Sequence, residues 1–207
     1  MATMNFCPTC ATPLEAREEG GRSRLACPAP ECRYIYFGDF SMGCSGVVVR
    51  EENGVQKVLL IQRGQEPFAG TWQLPGGFAE HDEPLSLAVE REVLEEASVT
   101  ARVRDAIAFR HMHGRSTNIY MIFRLDYVSG EPVSDGVETA DAGFYSLADM
   151  AKIPGVQNVS RWGIEQALVT PSDSGLSLDE TAPGAERPGW ELYGLTGVER
   201  EIWQPMR

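Results

Sequence analysis

The segment from Gly77 to Val99, GFAEHDEPLSLAVEREVLEEASV, constrains the fold more than any other part of this sequence. Apolar residues recur there at every fourth position and predict an amphipathic helix, whose buried stripe is Leu85, Val89, Val93 and Ala97. Asp82 is the expected N-cap, and Pro84 suits the first turn, where its missing N–H costs nothing. The helix is therefore predicted to begin just after Asp82 and to run to about Ala97.

Three carboxylates share another face of this helix. At the helical spacing, Glu92, Glu95 and Glu96 lie within about 100° of arc. Like charges at this spacing repel, so the cluster is stable when cations lie against it, and oxygen ligands favour Mg²⁺ or Mn²⁺ over zinc. The glycines before the helix permit a close approach of the backbone to a metal or a phosphate. The alternative reading of REVLEE is an ordinary solvated helix face.

The spacing of the whole segment decides between these alternatives, because it resembles the Nudix box, G-x5-E-x7-R-E-U-x-E-E-x-G-U, where U is a bulky aliphatic residue. The matching residues, all in register, are Gly77, Glu83, Arg91, Glu92, Val93, Glu95, Glu96 and Val99. Ser98 departs from the pattern, since it stands where the final glycine would end the helix with a positive φ. No metal ligand is lost by that change.

The resemblance implies an α/β/α sandwich with a mixed sheet that hydrolyses nucleoside diphosphates linked to another group, using two or three Mg²⁺ or Mn²⁺ ions. Carried over by position, Glu92 and Glu96 are the principal metal ligands. Glu95 is a further ligand or orients water, and Gly76 offers its backbone carbonyl to a metal. Arg91, together with Glu83, supports the site electrostatically.

Several members of this family use a glutamate from a later loop as base or ligand, and Glu138 is the candidate here, with Asp141 close by in the sequence. The alternative for Glu138 is a solvated loop residue.

Four further residues are candidates for contact with substrate. They are Arg63, Trp72, Gly77 and Arg110. Trp72 can stack on a base or a flavin ring, and the alternative is that it belongs to the core. His111 and His113 are interpreted as solvated or phosphate-facing residues.

Four of the five cysteines come in two pairs within the first 32 residues. Cys7 and Cys10 form C-x2-C, while Cys27 and Cys32 form C-x4-C. Because no export signal is visible, a zinc site is favoured over disulfides. So short a segment buries little apolar surface, so four thiolates on one Zn²⁺ would stabilise a ribbon around a hairpin. Cys44 is expected to be a small buried residue.

The predicted organisation is a zinc ribbon at 1–40, a Nudix domain at 41–170 and a C-terminal linker and tail at 171–207. Asn53-Gly54 predicts a β-hairpin turn. Strands are expected at 99–110 and 118–128, with a further short strand at Phe144-Tyr145. Residues 158–169 are predicted to form a second amphipathic helix. The stretch 171–186 is rich in Pro, Ser, Gly and Asp and is typical of a linker.

Charge and hydropathy exclude some classes of function. The net charge of −12 disfavours a general nucleic-acid binder, since a polyanion is repelled on average. No run of 18 apolar residues exists, so neither a membrane span nor a membrane partner is expected, and the protein is predicted to be cytoplasmic. The aromatic tail, which includes Trp190, Tyr193, Ile202 and Trp203, is a partner surface or the contact of a homodimer.

The substrate class follows from the layout of ribbon, strand, LLIQRGQEPFAGTWQLPGGF and box, which is similar to a group of FAD and ADP-ribose pyrophosphatases. The expected reaction cleaves the pyrophosphate of FAD, ADP-ribose or a related dinucleotide and releases a nucleoside monophosphate. NADH and NAD-cap pyrophosphatases are the alternative, although their SQPWPFPxS signature is missing after the box. A non-catalytic nucleotide sensor with the ribbon as partner surface is the other alternative, which an intact REVLEE disfavours.

Overall fold

The computed structural model describes residues 4–114, 117–171, 174–182 and 185–195. Within these ranges the chain divides into two compact units. The first unit comprises residues 4–40 with 113–114 and 117, and the second unit comprises 41–112 with the remaining described residues. Ile202 and Trp203 of the tail lie outside the described residues.

The first unit is built on the predicted hairpin, whose strands are β1 (Glu15–Glu19) and β2 (Arg22–Ala26). The two strands pair antiparallel around a tight turn at Gly20 and Gly21, both of which have positive φ. The guanidinium carbon of Arg24 lies 4.7 Å from the ring centroid of Phe37, so the cation covers one face of this exposed ring.

The second unit contains one large sheet in the part of the chain that the structure describes. Its strands are β3 (Phe40–Glu52), β4 (Val55–Arg63), β5 (Trp72–Gln73), β6 (Thr100–Met112), β7 (Thr117–Ser129), β8 (Thr139–Ser146), β9 (Leu176–Leu178) and β10 (Tyr193–Leu195). The order across the sheet is β10-β9-β6-β7-β3-β4-β5, and β8 pairs with β4. Asn53 and Gly54, both with positive φ, make the hairpin turn between β3 and β4, as the sequence predicts.

Among the described residues, three helices cover this sheet: α1 (Leu85–Ala97), α2 (Leu147–Met150) and α3 (Asn158–Val169). One core joins α1, through Val89 and Val93, to the strand residues Val48, Leu59 and Phe123. The second core joins the other two helices to the neighbouring strand residues, which are Val47, Leu60 and Ile122. Because successive side chains of a strand point to opposite faces, α1 lies on one face and α2 and α3 on the other. The predicted α/β/α sandwich with a mixed sheet is confirmed.

The second amphipathic helix of the sequence analysis, predicted at 158–169, is α3, and its boundaries agree with the prediction. The helix α1 ends at Ala97, also as expected. The predicted start of α1 is wrong, because Pro84 and not Asp82 occupies the N-cap position. The segment before Pro84 instead forms a turn in which the Glu83 carboxylate accepts the backbone N–H of Glu80 at 3.0 Å. Proline has no side-chain acceptor, so the helix start needs a partner from elsewhere in the chain.

The stretch after α3 contains two short strands. Gly175 donates its backbone N–H to Asp105, and Leu176 pairs with Ala106, so β9 extends the sheet beside β6. The next strand, β10, pairs antiparallel with β9. Part of the stretch that its composition indicates as a linker is therefore strand. None of the described helices has both the length and the apolar character of a membrane span.

Candidate metal and nucleotide site

Glu96 stands at the buried end of the helix face that carries the carboxylates. Its side chain is among the buried polar groups, with 6 % of the residue exposed. One carboxylate oxygen accepts the backbone N–H of Gly76 at 2.7 Å. The backbone carbonyl of Glu96 accepts the Thr139 hydroxyl at 3.0 Å. These two contacts fix the last turn of α1 between the glycine loop and the start of β8.

Arg91 organises the other acidic residues of this face. Its guanidinium binds both oxygens of Glu83, at 2.7 and 3.1 Å. The remaining nitrogen donates to Glu92 at 3.0 Å and to Glu95 at 2.9 Å. This bidentate pairing holds the pKa of the Glu83 carboxyl below its usual range, because the Arg91 hydrogen bonds favour the charged form. These contacts are compatible with the supporting role expected of Arg91 and Glu83, which stays a prediction.

The glycines before α1 allow the backbone to reach these carboxylates. A Cβ at Gly77 would lie 2.5 Å from one oxygen of Glu92, and a Cβ at Gly76 would lie 2.2 Å from the carbonyl oxygen of Cys44. Gly76 also has a φ of 152°, which L side chains rarely adopt. A larger residue at Gly76 would therefore collide with the backbone of β3, and one at Gly77 would displace the Glu92 carboxylate.

Burial makes two of the carboxylates difficult to ionise. Desolvation, together with the charges of Glu92 and Glu138, raises the pKa of Glu96 to about 8 despite the Gly76 hydrogen bond. Desolvation also raises the pKa of the half-buried Glu92. Carboxylates in this condition gain most from a nearby cation, because a positive charge restores their ionised form.

The structure supplies the residues for a hard divalent cation at this site. The carboxylates of Glu96 and Glu92 both lie beside the glycine loop, Glu96 on the Gly76 N–H and Glu92 next to Gly77, and carboxylate oxygens are donors that suit Mg²⁺ or Mn²⁺. Glu95 lies further out, with 59 % of its side chain exposed. The three carboxylates are drawn apart, since Arg91 binds two of them and Gly76 the third.

Glu138 lies near this cluster, and its negative charge contributes to the raised pKa of both Glu92 and Glu96. Its loop is held by Asp135, whose carboxylate accepts backbone N–H groups from Val137, Glu138 and Thr139. The backbone carbonyl of Glu138 accepts the N–H of Gly64 at 2.8 Å. The structure thus brings Glu138 to the helix face while leaving its side chain exposed. Asp141 lies further along β8, opposite Gln62 of β4.

The predicted substrate residues differ in their surroundings. Arg63 faces the same region, since its charge lowers the pKa of Glu96 against the larger effect of burial. Its Nε donates to the carbonyl of Pro67 at 3.0 Å. Trp72 is only 8 % exposed and packs edge to face with Tyr145, with ring centroids 5.2 Å apart. That arrangement favours the alternative of a core residue for Trp72.

Arg110 has an unsatisfied donor. Its guanidinium binds the side-chain oxygen of Asn118 and lies 5.3 Å from the ring centroid of Tyr120. Its buried Nε has no hydrogen-bond partner within the described structure. A buried guanidinium N–H without a partner is costly, and a phosphate oxygen would satisfy it. His111 and His113 are both exposed.

Tyr120 and Ser45 lie next to the candidate site, and the sequence analysis did not single them out. The Tyr120 side chain hydrogen-bonds with Ser45, and burial together with the charges of Cys44 and Glu96 raises the Tyr120 pKa. Both lie in apolar strand patterns, where a tyrosine or serine is not distinguished from its neighbours by spacing. Only the folded sheet brings Ser45 of β3 and Arg110 of β6 to either side of Tyr120 in β7.

The paired cysteines of the first unit form a second candidate metal site. The sulfur atoms of Cys7, Cys10, Cys27 and Cys32 all lie within 4.8 Å of one another. Cys7 and Cys32 are 3.6 Å apart, and Cys10 and Cys27 are 3.5 Å apart. Four sulfurs around a tetrahedral zinc are about 3.8 Å apart, so the set fits Zn²⁺ after a small adjustment. The cluster is consistent with the predicted ribbon. Among the described residues, no other set of three or more such ligands is this close.

Comparison with known proteins agrees with this architecture. Residues 42–163 match the model of the NUDIX domain. An ADP-ribose pyrophosphatase of Methanocaldococcus jannaschii is 32 % identical over 109 residues, which cover 51 % of this chain and 62 % of that protein. The NAD-capped RNA hydrolase NudC of Vibrio vulnificus is 29 % identical over 171 residues, which cover 81 % of this chain and 60 % of that protein. The chain thus spans about three fifths of the length of these curated relatives.

Two solved structures extend the comparison. A NUDIX hydrolase from Nitrosomonas europaea superimposes with a TM-score of 0.63 at 27 % identity, covering 82 % of this chain and 96 % of that chain. The NUDIX domain of Shewanella oneidensis NrtR, solved with ADP ribose, gives a TM-score of 0.57 at 25 % identity. That match covers 64 % of this chain and 88 % of the NrtR chain.

Proposed function

Because this chain belongs to the Nudix family, we propose that it hydrolyses the pyrophosphate bond of an ADP-linked compound and releases AMP. ADP-ribose, FAD and related dinucleotides are the substrate candidates. The observation that carries the proposal is the buried Glu96, held on the Gly76 N–H beside the half-buried Glu92. A solvated helix face does not bury its carboxylates in this way.

Each residue of the site has a proposed role. Glu92, Glu96 and the Gly76 carbonyl would hold Mg²⁺ or Mn²⁺, with Glu95 as a more exposed ligand. When bound, these cations neutralise the diphosphate and acidify the attacking water. Arg91 would favour the ionised form of Glu83 and hold Glu92 and Glu95 in orientation. Outside the cluster, Arg110 would bind a phosphate oxygen through its guanidinium, whose unpaired Nε–H is buried until the substrate binds.

Glu138 is proposed to orient or deprotonate the attacking water. Its exposed side chain stands on a loop fixed by Asp135, close enough for its charge to act on Glu92 and Glu96. Glu138→Gln should lower kcat about 100-fold while changing KM little, since a base acts in the transition state. If Asp141→Asn reduces kcat and Glu138→Gln does not, Asp141 has that role.

The proposed activity is tested by incubating the purified protein with Mg²⁺ or Mn²⁺ and ADP-ribose, FAD, NADH or diadenosine polyphosphates. Release of AMP is measured by chromatography. Glu96→Gln should reduce the rate at least about 100-fold, because it removes a charged ligand. Glu165→Gln, which changes an exposed carboxylate of α3, is the matched control and should retain activity. If no compound is cleaved although one of them binds, the non-catalytic sensor is the correct function.

A second candidate substrate is NAD-capped RNA. The specific observation in its favour is the extent of the NudC match, which covers 81 % of this chain against 51 % for the ADP-ribose pyrophosphatase. The net charge of −12 disfavours a long RNA partner. Comparing NAD-capped RNA with free NAD at equal concentration distinguishes the two. Faster cleavage of the pyrophosphate in NAD-capped RNA than in free NAD would favour cap removal as the function.

The cysteine cluster is proposed to hold one structural Zn²⁺. Its sulfur spacing fits a tetrahedral thiolate site, and the side-chain hydrogen bond of Thr12 lowers the pKa of Cys10 to about 6. Burial raises the pKa of the neighbouring Cys27 to about 12, so zinc must displace a proton from that thiol and zinc binding should weaken as pH falls.

A further inference from the structure

The start of α1 lacks a cap from its own sequence. Pro84 in the N-cap position makes no side-chain hydrogen bond, and the first turn of the helix contains no acidic residue. The N–H groups at a helix start need acceptors, and the helix dipole favours a negative charge there. In most helices the residues just before the helix meet both needs.

Glu191 meets both needs from more than 100 residues away in the sequence. One of its carboxylate oxygens accepts the backbone N–H of Leu85 at 2.9 Å. The other oxygen accepts the hydroxyl of Ser86 at 2.5 Å and that of Tyr193 at 3.3 Å. The carboxylate thus has three donors, two of them on the first turn of α1.

The segment that carries Glu191 is itself fixed to the sheet. Residues 174–182 and 185–195, here called the C-terminal strap, include β9 and β10. The strap begins where Gly175 donates to the buried Asp105, and its Asp179 donates a backbone N–H to Leu192 at 2.7 Å. The Tyr193 ring packs 5.9 Å from Phe123 and contacts the core that contains α1.

We infer that Glu191 of the C-terminal strap is a positioning residue, which fixes the start of α1 and thereby the orientation of the carboxylates on its face. This role rests on the proposed function, in which those carboxylates bind Mg²⁺ or Mn²⁺. The connection is mechanical, since Glu92 lies two turns along the same helix and α1 is short enough to move as one body. Glu191 itself does not touch the candidate site.

The three donors to Glu191 argue for more than a covering role of the strap. A strap that only covered apolar surface would need Tyr193 and the strand pairing, but not a carboxylate with three donors. The half-buried charge at the helix start is costly unless those donors stay in position. Loss of the charge should therefore loosen α1 before it detaches the strap.

The test compares Glu191→Gln with Glu180→Gln in the full-length protein. Glu180 is an exposed carboxylate on the same strap and is the matched control. Hydrogen exchange without Mg²⁺ or Mn²⁺ should become faster across residues 85–97 in Glu191→Gln only. Mn²⁺ affinity, measured by electron paramagnetic resonance, should weaken about tenfold in that variant, the lower end for residues that orient metal ligands. Glu191→Asp should recover part of the affinity.

The outcomes separate the possible roles. If hydrogen exchange across residues 85–97 is unchanged in Glu191→Gln, the contact between the strap and α1 does not stabilise the helix, and the inference is wrong. Faster exchange with unchanged Mn²⁺ affinity would overturn the positioning role and leave a structural one. If the unmodified protein binds no Mn²⁺, the proposed function and the positioning role both fail, while exchange still reports on the strap.

Discussion

At the scale of single residues, the site is defined by where charge is buried. Glu96 and Glu92 carry the same side chain as Glu95, yet burial separates them from it. The Nudix box identifies all three, but the raised pKa of Glu96 depends on the loop and sheet around it. Ser98 is the one box position that departs from the pattern, and it adopts the left-handed conformation expected of the missing glycine, with a φ of 55°.

Ser98→Gly should stabilise the protein by about 0.5–1 kcal/mol, because glycine adopts positive φ without the steric cost of a Cβ. Chemical denaturation at neutral pH measures this change. Ser98→Ala is the control, since it keeps the Cβ and should not stabilise. A loss of stability in Ser98→Gly would mean that the serine side chain contributes more than its backbone strain costs.

Stability without added Mg²⁺ or Mn²⁺ should depend on pH through Glu96. Its folded pKa is raised from 4.5 to about 8, so its contribution is fully present below about pH 4.5 and is lost as pH rises through 8. Glu96→Gln removes this dependence and should exceed the unmodified protein in stability by about 3 to 5 kcal/mol at pH 9. Denaturant titrations at pH 5 and 9 measure the difference in free energy of unfolding between Glu96→Gln and the unmodified protein. A difference that does not grow with pH would contradict this prediction.

At the scale of elements, one buried ion pair joins four parts of the second unit. Arg124 of β7 binds both oxygens of Asp105 in β6, which is fully buried. The same guanidinium donates to the carbonyl of Thr170 at the end of α3, at 2.9 Å. The strap is attached here too, through the N–H of Gly175. The ends of these elements are therefore mutually dependent.

Asp105→Ala should destabilise the protein by about 3–5 kcal/mol, because it leaves the Arg124 charge buried without its partner. Asp126→Ala, which breaks the exposed pair with Arg104, is the matched control and should cost less than about 1 kcal/mol. Urea unfolding measures both variants. Equal losses in the two would show that burial of the Asp105 pair does not determine its contribution.

At the scale of the whole molecule, the two units rely on different sources of stability. The second unit has two apolar cores on either side of a sheet. The first unit has a two-stranded hairpin, and a hairpin alone is marginally stable in water. Its order is expected to depend on the metal bound by its four cysteines.

Removal of zinc should therefore unfold the first unit alone. In the presence of a chelator, hydrogen exchange across β1 and β2 should become fast, while exchange across β3 and β4 stays slow. Cys10→Ser should lose the bound zinc, and Cys44→Ala should keep it, because Cys44 lies in the core of the second unit. Slow exchange in the β1–β2 hairpin after zinc removal would contradict this dependence.

The sequence alone determined those features that arise from neighbouring residues. The four-residue apolar repeat defined α1 and its end, Asn53-Gly54 defined a hairpin, and the paired cysteines defined the first unit. Local spacing suffices there, because helix periodicity, turn conformation and metal-ligand geometry each act over a few residues. The Nudix box added the roles of the carboxylates, which rest on family resemblance.

Only the tertiary structure decided which of these residues are buried and what they contact. The cap of α1 by Glu191, the association of Tyr120 with Ser45, and the packing of Trp72 on Tyr145 each join residues distant in the sequence. The start of α1 was mistaken for the same reason, since the acceptor for its first N–H is more than 100 residues away. Burial and hydrogen bonding depend on the whole folded chain, so no local pattern in the sequence records them.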